Sequence, residues 1–142
     1  GYGYAITRRS FTMDGEEVSG PYTTGERRVV VIEVTPFEPL GARLMVDDPL
    51  PAGLEIDNPN LLNAGDIANL AWLQTATPEP VEFRADRFLA AAHHSGTAPF
   101  QLAYVVRAIT PGSYRHPAAT VEDMYRAEYR ANTATDQVIV QP

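Results

Sequence analysis

Glu26-Arg27-Arg28-Val29-Val30-Val31-Ile32-Glu33-Val34-Thr35-Pro36 is the stretch on which the fold turns. Its β-branched residues favour a pleated backbone. Val30, Ile32 and Val34 fall on one face, with Val29, Val31 and Glu33 on the other. Pro36, which lacks a ladder donor, stops the strand. Arg27-Arg28 reads as the polar edge of this strand.

Working outward, the same period of two recurs. Tyr2 to Thr12 alternates loosely and stops at Met13-Asp14-Gly15, an Asp-Gly turn signal. Gly41 to Asp48 predicts a partner strand, with Ala42, Leu44 and Val46 opposite Arg43, Met45 and Asp47. Pro49 and Pro51 prevent a regular ladder through Asp48-Pro49-Leu50-Pro51-Ala52-Gly53-Leu54, which reads as a shaped loop. Phe83 to His93 divides between helix propensity at Ala90-Ala91-Ala92 and strand neighbours, and is read as a strand. Phe100 to Ile109 alternates Phe100, Leu102, Tyr104 and Val106 with Gln101, Ala103, Val105 and Arg107, and Pro111-Gly112 closes it. Gln137 to Val140 predicts a last short strand. Between Asn58 and Thr77 the pattern is poor, and Asp66 is the candidate cap of a short helix through Ile67, Leu70 and Trp72. Short strands separated by Pro/Gly turns predict an all-β chain, an antiparallel β-sandwich of immunoglobulin-like architecture with one or two short helical turns.

Composition bounds the function. The 142 residues fit one domain, 1–142, and 44% hydrophobic content supplies a core. A net charge of -7, with no concentration of basic residues, argues against nucleic acid as a partner. Zero cysteines exclude a disulfide framework, a Cys-ligated zinc and a thiol nucleophile within this sequence. No run approaches the roughly 18 apolar residues of a membrane span. The opening Gly1-Tyr2-Gly3-Tyr4 has no initiator Met, as expected of an excised segment. No cofactor motif is present.

Other constellations point to chemistry only weakly. His93-His94, with Asp86 and His116, invites a metal reading, but adjacent strand residues face opposite sides and zinc spacing is absent. Ser95 and Ser113 lack the Gly-x-Ser-x-Gly elbow of a serine nucleophile. Asp47-Asp48 and Glu16-Glu17 are read as solvated carboxylates rather than a calcium or acid/base pair. Tyr2, Tyr4 and Tyr22 keep open a sugar-binding platform.

From Phe100 the chain reads Phe-Gln-Leu-Ala-Tyr-Val-Val-Arg-Ala-Ile-Thr-Pro-Gly-Ser-Tyr-Arg-His-Pro-Ala-Ala-Thr-Val-Glu-Asp-Met-Tyr. This segment, with Asp48-Pro49-Leu50-Pro51-Ala52-Gly53-Leu54-Glu55 and Glu82-Phe83-Arg84-Ala85-Asp86-Arg87, resembles the closing macroglobulin-like domain of bacterial α2-macroglobulin-like proteins. The resemblance implies a non-catalytic part of a protease trap. In such a trap a bait region is cut, the molecule rearranges, and an internal Cys–Gln thioester captures the protease. It further implies a periplasmic parent tethered by an N-terminal lipid. The partners implied are the thioester domain of the same parent chain and, through the full-length protein, target proteases. The domain itself would be a monomer that does not insert into the membrane.

Met124-Tyr125 matches the family's pair that shields the thioester. Read from residue type alone, the two are core packing; the resemblance implies an interdomain contact instead. A thioester is an activated acyl group that must be kept from water. Met conforms to an irregular apolar surface, and Tyr adds a flat ring with one hydroxyl. Thr120-x-x-Asp123 resembles a capping box, which predicts that Met124 and Tyr125 open a short helix. Three classes remain open at this point: an interaction domain of a protease trap, an independent extracytoplasmic glycan-binding or adhesion module, and an enzyme for which no constellation is convincing.

Overall fold

The computed structural model describes residues 3–37, 42–57, 81–83, 87–94, 99–126 and 128–142. Among these, every regular element is a strand: β1 (Tyr4–Phe11), β2 (Tyr22–Thr23), β3 (Arg27–Pro36), β4 (Ala42–Pro49), β5 (Leu54–Ile56), β6 (Val81–Phe83), β7 (Arg87–His94), β8 (Phe100–Ala108), β9 (Gly112–His116), β10 (Thr120–Asp123), β11 (Arg130–Asn132) and β12 (Asp136–Gln141). The suggested helix at Asp66, together with Asp86 and Ser95, lies outside the described residues.

A four-stranded antiparallel sheet runs β1-β3-β8-β5 and a five-stranded one runs β11-β10-β4-β7-β6. A third, smaller sheet places β12 between β2, to which it is parallel, and β9, to which it is antiparallel. The first two sheets face each other across one core. Val30, Ile32, Val34, Leu102, Tyr104 and Val106 come from one side, and Leu44, Val46, Phe88, Ala90 and Val121 from the other. Phe88 stacks on Tyr104 with ring centroids 4.5 Å apart. The opposite face of β3 and β8 is also buried, where Val29, Val31 and Val105 gather with Phe11. Both faces of β3 are therefore buried, which its alternation alone does not state.

The strand reading of Phe83 to His93 holds over β7, which pairs with β4 on one side and β6 on the other, while Phe83 belongs to the separate antiparallel strand β6. That pairing overrides the helix propensity of its alanines. Thr120 to Asp123, expected to open a helix, forms β10 instead. Val121 faces inward between exposed Thr120 and Glu122, and the strand is paired on both edges, with β4 and β11. In the loop after β4, Gly53 leaves room for the Tyr114 ring, which a Cβ at that position would strike. Its carbonyl accepts the Ile109 amide at 2.9 Å, tying the loop to the end of β8.

Asp48 corrects the reading of Asp47-Asp48 as two solvated carboxylates. The alternation that sends Leu44 and Val46 inward sends Asp48 inward too, and its side chain is fully buried. Arg8 answers it from β1, donating from Nη1 to Asp48 Oδ1 at 2.5 Å and to the Pro117 carbonyl at 2.9 Å. The Tyr104 hydroxyl donates to the other carboxylate oxygen from β8. Burial pushes the Asp48 carboxyl above its ordinary pKa against the opposing pull of Arg8 and Tyr104. Asp47 points the other way and meets Arg87 at 3.0 Å. Arg28, expected at a polar edge, is likewise buried. Its guanidinium lies 3.8 Å over the Tyr22 ring and donates to Glu26, Gly20 and Pro21.

Removing one partner of a buried ion pair strands the other charge, at a cost of about 3–5 kcal/mol. Arg8→Met should therefore lower the unfolding free energy of the chain by roughly that amount. Urea denaturation followed by circular dichroism measures it, and a change of less than about 1 kcal/mol, typical of exposed pairs, would show that Asp48 does not depend on Arg8.

Candidate functional site

The segment that follows β10 is built around one buried carboxylate. Asp123 occupies an inward-facing position of its strand, two residues after Val121, and is 1% exposed. Its Oδ1 accepts the backbone N–H of Tyr125 at 2.8 Å and of Arg126 at 3.3 Å. Its Oδ2 accepts the Tyr4 hydroxyl at 2.9 Å and Arg126 Nη1 at 3.1 Å. Backbone bonds complete the turn: the Met124 amide donates to Arg43 O, the Tyr129 amide to Arg126 O, and the Asp123 amide to Tyr129 O. Asp123 thus does the chemistry expected of a cap, accepting the amides two and three residues on, but it caps a turn rather than a helix.

Burial opposes ionisation of Asp123, yet the hydrogen bonds from the Tyr125 amide, Tyr4 and Arg126 outweigh it and hold the carboxyl below its ordinary pKa. Tyr4 moves the other way, to about 12, through burial and through its bond to Asp123 and that residue's negative charge. The Tyr4 ring meets Tyr129 edge-on at 6.4 Å. Gly3, with φ of 85°, lies so close to the Tyr129 ring that a Cβ there would come within 2.7 Å of it.

With the turn fixed, its tip points outward. Met124 is 51% exposed and Tyr125 64%. Phe37, 58% exposed, sits at the same end of the sandwich, since its amide donates to Gly3 O beside Tyr4. These three are the most exposed large apolar side chains among the described residues.

Elsewhere the candidates separate. Tyr4 and Tyr22 are both buried and offer no open ring face for a sugar, while Tyr2 lies outside the described residues. His93 pairs opposite Arg43 and His94 opposite Ala42, as adjacent positions of β7. Among the described residues no three His, Asp or Glu side chains gather closely enough to hold a metal ion. Ser113 is exposed on β9 with Gln137 as its hydrogen-bond partner. A cleft of about 660 Å³ between β1 and β12 is lined by Arg8, Arg9, Tyr22, Arg28, His116 and Asp136. Its arginines are engaged, Arg8 with Asp48, Arg28 with Glu26, and Arg9 with Glu17 at 3.8 Å.

The chain matches the family model described as the bacterial alpha-2-macroglobulin MG10 domain over residues 3–128. It is 37% identical over 148 residues to the alpha-2-macroglobulin of Escherichia coli, covering 96% of this chain and 9% of that protein. The chain belongs to the bacterial α2-macroglobulin family. Escherichia coli alpha-2-macroglobulin activated by porcine elastase superposes on all of this chain with a TM-score of 0.86 at 36% identity, over 13% of the solved chain. Salmonella alpha-2-macroglobulin reacted with methylamine matches 99% of this chain, and 9% of its own, with a TM-score of 0.83 at 35% identity. The antiparallel sandwich is thus the macroglobulin-like domain of this family, and the chain spans about a tenth of the length of its full-length relatives.

His116 supplies a test of the cleft's electrostatics. Burial and then Arg8 push its pKa down to about 4 from 6.5, partly offset by Asp136. The folded chain keeps this imidazole neutral over a range in which the unfolded chain protonates it. Its contribution to stability is therefore complete above pH 6.5 and lost as the pH falls from 6.5 towards 4. Urea midpoints recorded from pH 7 to pH 4 should fall less steeply in His116→Gln than in the unmodified chain. Parallel curves would show that this histidine is solvated.

Proposed function

We propose that residues 1–142 form the closing macroglobulin-like domain of a bacterial α2-macroglobulin, a non-catalytic domain that docks on the thioester domain of the same parent chain. Met124 and Tyr125 shield the thioester from water until a protease cuts the bait. The observation that carries this reading is the turn anchored by Asp123, which holds two large apolar side chains in solvent at the position matching the family's shielding pair. An apolar pair held out by a buried charge is costly to a free surface, and gains its contact area only against a partner. The solved relatives support the wider setting, one having been activated by a protease and another reacted with a small amine. The thioester must come from elsewhere in the parent, because this sequence has no cysteine. The parent acts in the periplasm, tethered by an N-terminal lipid, and meets target proteases as the full-length protein.

The expected consequence of Met124→Ala with Tyr125→Ala in the full-length protein is faster loss of the thioester before any cleavage. Removing buried aromatic contact weakens an interface by ~1–3 kcal/mol, or roughly five- to a hundredfold in how often the cover opens. Release of free thiol from uncut protein in methylamine, followed over time, reads this directly, and Tyr125→Phe should give an intermediate rate. Wild-type rates in a double mutant whose fold is intact would leave the pair as ordinary surface.

A further inference from the structure

The shielding pair touches the sandwich through a device outside the pair itself. Asp123 is one of three charged or polar side chains buried among the described residues, with Arg28 and Asp48. An ionised carboxylate only accepts hydrogen bonds and has about four sites for them. Here four donors are present: the Tyr4 hydroxyl, the amides of Tyr125 and Arg126, and Arg126 Nη1. Two of these set the backbone that carries Tyr125, and one arrives from the opposite sheet, 119 residues away in sequence. The turn is therefore clamped to both layers at once, through β10 and through the first residue of β1.

We infer that Asp123 is the positioning residue of the interdomain contact, with Tyr4 as its anchor, so that Met124 and Tyr125 meet their partner already ordered. This rests on the docking role proposed above. The physical gain is that the ordering cost of a docking loop is met during folding rather than at the interface. A carboxylate is required because both oxygens accept. In Asp123→Asn one of them becomes an NH₂ group, which cannot accept from Arg126 or Tyr4. Arg126 adds a charge-assisted bond across the turn, and such bonds are the stronger kind.

The test uses the full-length protein before and after bait cleavage. In uncut protein, Asp123→Asn should speed methylamine-driven thiol release on the order of tenfold, though Met124 and Tyr125 are untouched. Tyr4→Phe, which keeps the ring against Tyr129 and removes one donor of four, should give a smaller rise of about threefold. Adding Asp123→Asn to the Met124→Ala/Tyr125→Ala double mutant should change nothing further, because a positioning residue has no effect once the side chains it positions are gone. After protease cleavage all variants should react alike, which a general loss of structure would not produce. If the double mutant is fast while Asp123→Asn and Tyr4→Phe match wild type, the inference is overturned and the docking role stands. If Asp123→Asn adds its full effect to the double mutant, Asp123 acts by another route and the inference also fails. If the double mutant itself matches wild type, the docking role falls and takes the inference with it.

Discussion

A carboxylate on the inward face of a strand must be matched or it cannot stay charged. Asp48 is such a group, and the Arg8 guanidinium and Tyr104 hydroxyl that answer it come from two strands of the facing sheet. The same Arg8 nitrogen also holds the Pro117 carbonyl, three residues before β10 begins. One cluster thereby fixes β1 and β8 against β4 and sets where β10 enters the five-stranded sheet. It also marks the register: a slip of β4 by one residue would turn Asp48 out and Asp47 in, away from Arg8. The position of β10, and hence of the turn after it, follows from this placement.

Asp48 and Asp123 are both buried, yet they titrate in opposite directions, up for the first and down for the second. The difference lies in how each is served. Asp48 sits deep in the core, where loss of water outweighs its two side-chain partners. Asp123 lies at the end of the sandwich and receives backbone amides as well as side chains, and amide donors stabilise the charged form. A domain can thus use one residue type as a lock between layers and, at its rim, as a clamp for a surface feature.

Much of this architecture was legible from residue period alone. The alternations read in β3, β4 and β8 group Val30, Leu44 and Leu102 each with the neighbours that share its face, and these are the faces that meet in the core. What period could not show was pairing. Asp48 and Arg28 look solvent-facing by residue type, and their burial is made tolerable by partners that period does not reveal: Arg8, 40 residues from Asp48, and Tyr104 for the first, and Glu26, the Tyr22 ring and the carbonyls of Gly20 and Pro21 for the second. Strands of two to four residues such as β2, β5 and β11 are too short to carry a period. At the candidate site, Met124 and Tyr125 were singled out by likeness to a family, while Asp123 was noticed for the wrong element. Its side chain accepts amides as a cap would, but Val121 and the two neighbouring strands make the preceding residues a strand. Tyr4 gave no local sign of its role, because its partner is 119 positions away.

The third sheet has a consequence for the order in which the domain comes into being. β12 lies between β2 and β9, with Val140 beside Tyr22. During synthesis β2 and β9 emerge before the strand that joins them, and Tyr4 waits for Asp123 across nearly the whole chain. Such distant pairings carry a high loop-closure cost and make β-rich topologies slow to fold, on a scale of milliseconds to seconds. Until β12 arrives, the β2 and β9 edges that it will cover have no strand between them, and open edges invite pairing with the wrong chain. The strand that closes the third sheet therefore also guards the domain against misassembly.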